Sequence, residues 1–154
     1  MHLHHFIEFS TSQIFCKEPC AVLSVPPIAW KKEIHLPIYG LHIIKIPDEY
    51  ILETISKDSR VSTIVIAGSE PLDDPLELRS FIFSARKFFP PKTRPKIIIF
   101  TKYFFEDLRK IPSWTGLYCE LMQYGNIYLE LGRLQGKRNE QSKQVLAFIG
   151  HQYE

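Results

Sequence analysis

The stretch Gly68-Ser69-Glu70-Pro71-Leu72-Asp73-Asp74 places the carboxylates of Glu70, Asp73 and Asp74 close together, directly after the strand-like run Ser62-Thr63-Ile64-Val65-Ile66-Ala67. Carboxylates at such spacing could divide the roles of general acid and general base, because like charges push proton affinities apart. Glu70 and the backbone carbonyls of the turn could also hold a cationic amino group. The order has a simpler explanation as well. Acidic residues at a helix start accept from its free N–H groups and oppose the positive end of its dipole.

Other reactive groups fall at similar places. Thr101-Lys102-Tyr103 follows the apolar run Lys96-Ile97-Ile98-Ile99-Phe100, and Gly132-Arg133 follows the run Asn126 to Leu131. Arg133 could hold a carboxylate or phosphate, or pair with an acidic neighbour. Lys102 could offset Glu70 by charge pairing. Tyr103, Phe104 and Phe105 could line an apolar rim or simply pack. His2, His4 and His5 with Cys16 and Cys20 contain enough ligands for zinc, but their spacing matches no finger pattern. His35 and His42 stand among apolar residues, where packing is the default role. No Gly-x-Ser-x-Gly elbow and no phosphate-binding Gly-x4-Gly-Lys-Ser/Thr loop occurs.

The elements that must position these residues can be read from periodicity. Ala21 to Val25 is a nearly continuous apolar run, as in a strand buried on both faces, and Pro26-Pro27 ends it. Residues 28 to 40 read as a loop, and His42 to Ile46 as a short strand or extended connection. Asp48 is expected to cap a helix through about Lys57, with Ile51, Leu52 and Ile55 on one face. Thr63 to Ala67 is the next strand. Asp73 or Asp74 then caps a helix with Pro75 in its first turn. Leu78, Phe81, Ile82, Ala85, Phe88 and Phe89 follow helical spacing until Pro90-Pro91. A strand over Lys96 to Thr101, a short helix from about Phe104 to Ile111 and a strand over Asn126 to Leu131 follow. Val145 to Ile149 reads as a last strand. The segment Gly116 to Gly125 gives no clear signal.

Strands alternating with helices predict right-handed crossovers and a mostly parallel sheet. The units are too few for an eight-stranded barrel. The expected fold is therefore α/β, a compact partial (βα) barrel or an open sheet. Ligands in such sheets sit at the carboxyl ends of the strands. The residues after Val25, Ala67, Phe100 and Leu131 are thus expected to share one rim.

Composition sets the wider bounds. The 154 residues suit one domain, with about 19–154 as its core and 1–18 as an N-terminal extension. A net charge of +2 gives no argument for nucleic acid, and Lys31-Lys32 and Arg133 to Lys143 read as solvated basic faces. No apolar run reaches the roughly 18 residues of a membrane span. The start Met1-His2-Leu3-His4-His5 lacks the pattern of a secretory signal. Three cysteines do not make a disulfide framework, and a reducing cytoplasm is the expected compartment.

Taken in order, Ala21 to Val25, Gly68 to Asp73, Thr101-Lys102-Tyr103, Gly132-Arg133 and the tail Gly150-His151-Gln152-Tyr153 resemble the radical S-adenosylmethionine superfamily. The likeness is to its small branch, typified by the anaerobic ribonucleotide reductase activating proteins, and runs from about Pro19 onward. In that branch the second strand ends in Gly-Gly-Glu-Pro, the third in Thr-Gly-Tyr and a later one in Gly-Arg. The resemblance implies an S-adenosylmethionine-like pocket formed by Gly68, Ser69, Glu70, Pro71, Thr101, Tyr103, Gly132 and Arg133. Ser69 stands for the second glycine, which is tolerable if its φ is negative.

The family also implies a four-iron cluster held by three cysteines after the first strand. In this chain that loop reads Pro26-Pro27-Ile28-Ala29-Trp30-Lys31-Lys32, with Ile28 and Lys32 at the first two cysteine positions. Neither side chain can replace a thiolate on iron. Cys16-Lys17-Glu18-Pro19-Cys20 has the first spacing of a Cys-x3-Cys-x2-Cys motif, but Leu23 takes the third position. The expectation is a degenerate member with no resident cofactor and no catalytic residue, acting by binding a protein partner or small ligand. The alternative is an active radical enzyme that cleaves S-adenosylmethionine with a four-iron cluster on Cys16, Cys20 and Cys119. A third reading is a non-radical enzyme using Glu70 and its neighbouring carboxylates. A homodimer is compatible with the aromatic supply, although no interface can be read from the sequence.

Overall fold

Long β-branched runs punctuated by proline, and amphipathic segments between them, fold as a layered α/β structure. The computed structural model describes residues 1–4, 8–10, 18–31, 43–132 and 146–148. In chain order the elements are β1 (His2–Leu3), β2 (Glu8–Ser10), β3 (Cys20–Val25), α1 (Ile28–Lys31), β4 (Ile44–Lys45), α2 (Asp48–Ser56), β5 (Thr63–Gly68), α3 (Pro75–Phe88), β6 (Lys96–Phe100), α4 (Trp114–Tyr124), β7 (Ile127–Glu130) and β8 (Leu146–Phe148). Two 3-10 segments, Pro71–Asp73 and Phe105–Lys110, join β5 to α3 and β6 to α4.

Six strands form one open sheet in the order β2-β3-β5-β6-β7-β8. The inner four, β3, β5, β6 and β7, are parallel, and β2 and β8 pair antiparallel at the edges. β1 and β4 form a separate antiparallel pair. The sheet is thus mostly parallel, as the alternation of elements predicts.

The parallel strands are added in one direction, without a reversal. Right-handed crossovers then place every connecting helix on the same side. Ile51, Leu52 and Ile55 of α2, Leu78, Phe81, Ile82 and Ala85 of α3, and Leu117, Leu121 and Tyr124 of α4 all join one core. The sheet contributes Ala21, Leu23, Ile64, Ile66, Ile97, Ile99, Ile127 and Leu129 to it. The opposite sheet face carries a separate buried cluster of Cys20, Val22, Val65, Ala67, Ile98 and Phe100, with Tyr128 against it. Strands buried on both faces explain why these runs are continuously apolar.

Several boundaries differ from expectation. Residues 28–31 form α1 where a loop is expected; 32–40 and His42 lie outside the described residues. Asp48 does not cap α2. Pro47 holds that position, and Asp48 is the first helical residue, its carboxylate accepting from the Met1 amino group at 3.1 Å. The Phe104–Ile111 helix is a 3-10 segment that ends at Lys110. Gly116 to Gly125 belongs to α4, whose start after Pro112 was masked by Gly116 in its first turn. Val145 and Ile149 lie outside the described residues, while 146–148 form the last strand. No described helix is long and apolar enough to cross a membrane.

Candidate functional site

The parallel register brings the strand ends together. Val25 pairs with Gly68, and Phe100 with Glu130. The connections interlock just beyond: Ser69 N–H donates to Val25 O, Thr101 N–H to Glu130 O, and Gly132 N–H to Tyr103 O, each at 3.0 Å. The shared rim expected from the sequence is present.

Gly68 makes the turn after β5. Its φ is +107°, and a Cβ there would lie 2.4 Å from Val25 O and 2.5 Å from Val25 N. Only glycine meets both demands. Ser69 is not among the residues of positive φ, which explains why a side chain is accepted there.

Glu70 is then turned into the protein, where it is buried. Its Oε1 accepts from Lys102 N–H at 2.7 Å. Its Oε2 accepts from Leu72 N–H at 2.9 Å and from the Thr101 hydroxyl at 2.8 Å. Thr101 Oγ1 in turn accepts from Tyr103 N–H at 3.2 Å. Glu70 therefore caps the 3-10 turn over Pro71–Asp73 and ties it to the segment after β6. Burial pushes its pKa up against the pull of these hydrogen bonds.

Tyr103 extends the network outward. Its hydroxyl donates to Asp73 Oδ1 at 2.5 Å, and that bond, with partial burial, pushes the phenol up to about 12. The expected charge pairing of Lys102 with Glu70 does not form. The contact comes from the Lys102 backbone, and its ammonium lies over the Tyr103 ring, 5.4 Å from the centroid. Gly132 has a φ of +70°, and a Cβ there would come within 2.9 Å of the Phe104 ring. Arg133 lies outside the described residues. Beside this network, Leu72, Asp73, Tyr103, Asp107, Ile111 and Pro112 line a cavity of about 340 Å³.

A second cluster stands where the β3 connection meets α3. Of the two candidate caps, Asp73 and Asp74, it is Asp74 that caps α3, accepting from Glu77 N–H at 3.3 Å. Lys31, at the end of α1, donates to Asp74 Oδ2 at 2.8 Å and to Glu77 Oε2 at 2.9 Å. His2 approaches the same glutamate, with Nδ1 3.0 Å from Glu77 Oε2 and its backbone N–H donating to Oε1. Burial works against ionisation of Glu77, but its Lys31 and His2 partners win and bring the pKa to about 2. The Asp74-x-x-Glu77 spacing is that of a capping box. Here the glutamate reaches away to Lys31 instead of back toward the cap. The spacing could have drawn attention to Glu77, but nothing local in the sequence singles out Lys31 or His2.

The thiols are arranged differently from a cluster cradle. Ile28 opens α1 and exposes its side chain, and none of the described residues 26–31 directly after β3 is a cysteine. Cys20 is buried at the start of β3, the end of the strand opposite the rim. Cys119 is exposed on α4, and Cys16 and His5 lie outside the described residues. Among the described residues no three His, Cys, Asp or Glu side chains converge as metal ligands. These residues do not fit a four-iron cluster on the rim.

A second cavity, about 370 Å³, lies at the other end of the sheet near Ser56, Asp58, Lys92 and Arg94. Arg94 is committed to structure there. It donates to Arg86 O, Phe89 O and Tyr124 O, the last carbonyls of α3 and α4, and stacks 4.8 Å from the Tyr124 ring. The rim is accordingly the better candidate for function. Comparison with known proteins finds no matching family model, no matching curated protein and no matching solved structure.

Proposed function

We propose that this chain is a radical-S-adenosylmethionine-like α/β protein, built on an open mostly parallel sheet, that has exchanged cluster chemistry for binding. It works in a reducing compartment and holds a protein partner or small ligand at the rim of the parallel strands, by the cavity beside Tyr103.

One observation carries most of the weight. The segment after β3, where the resemblance implies cluster cysteines, is a short helix clamped by Lys31 onto Asp74 and Glu77. Its position is supplied by ion pairs, which need no metal. Glu70 supports the same reading, since its carboxylate already takes Leu72, Thr101 and Lys102 as partners. What remains open to a partner is the outer wall of Asp73, Tyr103, Asp107 and Lys110 over the apolar floor of Leu72 and Ile111.

The test is anaerobic reconstitution with iron and sulfide, followed by metal and sulfide counting and a visible spectrum. The expected product is colourless protein without bound iron. About four irons per chain, the content of one four-iron cluster, would overturn the proposal and direct attention to reductive cleavage of S-adenosylmethionine.

A further inference from the structure

The outward faces of α2 and α3 carry an unlike pair of aromatic anchors. Tyr50 on α2 is 52% exposed and stands between Glu49 and Glu53, both solvent-facing carboxylates. Phe83 on α3 is 45% exposed and is bracketed by cations. The Arg86 guanidinium lies 5.3 Å from its ring centroid, and the Lys87 ammonium lies 5.4 Å from it. Arg86 is also paired with Glu120, whereas Lys87 is exposed.

These two helices are neighbours on the same side of the sheet, in contact through Ser84 and Asp48. Each lies in a connection between adjacent parallel strands, so their axes run in the same sense. A two-fold axis lying in the plane of contact, parallel to the two helices and midway between them, lays α2 of one copy on α3 of the other, and the reverse. An isologous contact of this kind repeats each pairing twice. Each acid-bracketed tyrosine then meets a cation-bracketed phenylalanine, with Glu49 and Glu53 facing Lys87.

We infer that the α2–α3 face is a homodimer interface, self-complementary in charge and anchored by Tyr50 and Phe83. The occupant is a second copy of this chain because one molecule presents both halves of the match. Aromatic anchors supply buried area, and complementary charge fixes register and excludes wrong partners. The interface lies on the helix layer and leaves the strand-end rim open. It stands independently of the binding role proposed for that rim.

Sedimentation equilibrium at low and high salt tests the inference, using the unmodified chain, Glu53→Lys, Lys87→Glu and the double variant. The expected result is a dimer at low salt that weakens as salt rises. Each single reversal places like charges together and weakens association by roughly tenfold or more. The double variant restores it. A chain that stays monomeric at low salt overturns the inference, as does a dimer indifferent to both single reversals. Weakening by the single reversals without recovery in the double variant overturns the assigned pairing. Phe83→Ser keeps the charges and removes an anchor, so a dimer of unchanged strength in that variant also counts against the interface.

Discussion

The connection leaving β5 is held at the rim by backbone geometry and a buried carboxylate, whereas the one leaving β3 is held by long side chains meeting near the surface. Gly68 is forced by the closeness of Val25, and Glu70 gathers three hydrogen bonds away from water. Lys31 instead bridges Asp74 and Glu77 from a four-residue helix. The first device is short-range and intolerant. The second is a tether whose strength depends on charge state. A buried group left unpaired costs more than a partly exposed pair gains, so the two connections should fail in different ways.

The sharpest way to break the first is Gly68→Ala. The added methyl enters the Val25 backbone, and alanine dislikes a φ of +107°. A loss of about 3 kcal/mol or more is expected in urea unfolding, from overpacking and left-handed strain together. Stability close to the parent would show that the two strand ends can part without cost.

Glu70→Ala comes next, with an expected loss of about 2–4 kcal/mol, because Leu72 N–H, Thr101 and Lys102 N–H lose their acceptor. Glu70→Gln retains one oxygen for Leu72 and Thr101 but turns an amide donor toward Lys102 N–H. It should fall between the parent and the alanine variant in the same measurement.

The tether is tested by Lys31→Met, which removes both ion pairs and should cost about 2 kcal/mol in chemical unfolding. The pH dependence separates the two connections further. Glu77 is held near 2, below its ordinary 4.5, so its contribution is present above pH 4.5 and is lost as pH falls toward 2. Glu70 has the opposite sign. Its pKa is raised by burial, so its contribution is present at low pH and declines as pH rises through the raised value. Acid titration of Glu77→Gln should show a flatter loss of stability between pH 4.5 and 2 than the parent shows. A parent-like acid limb would mean that the clamp contributes nothing.

The smallest effect is expected for Tyr103→Phe. It removes only the bond to Asp73 at the exposed edge of the Glu70 network, for about 0.5–1 kcal/mol by thermal unfolding. A loss as large as that of Glu70→Ala would extend the rigid connection out to the cavity wall.

The residues legible in the sequence are those whose role is local. Pro75 after Asp74 marks a helix start, since proline lacks the N–H that a first turn leaves unused. Leu78, Phe81, Ile82 and Ala85 reveal their buried face by spacing alone. Gly68 and Glu70 stood out because a glycine turn after an apolar strand is a local pattern. Phe88 shares the same spacing yet is left partly exposed, because it lies at the last residue of α3.

The sequence by itself determined the alternation of strands and helices, the proline stops, an aspartate cap at position 73 or 74 and the rim that follows from parallel strands. Each depends on residues within a turn or two of one another. The tertiary structure alone decided that all three long helices share one face, that Glu70 points inward to Thr101 and Lys102, and that Lys31 and His2 converge on Glu77. Lys31 and Glu77 lie 46 residues apart, and His2 and Glu77 lie 75 apart. A carboxylate has the same local appearance whether it faces water or a partner brought from another strand. Only the packing of the strands against one another chooses between them.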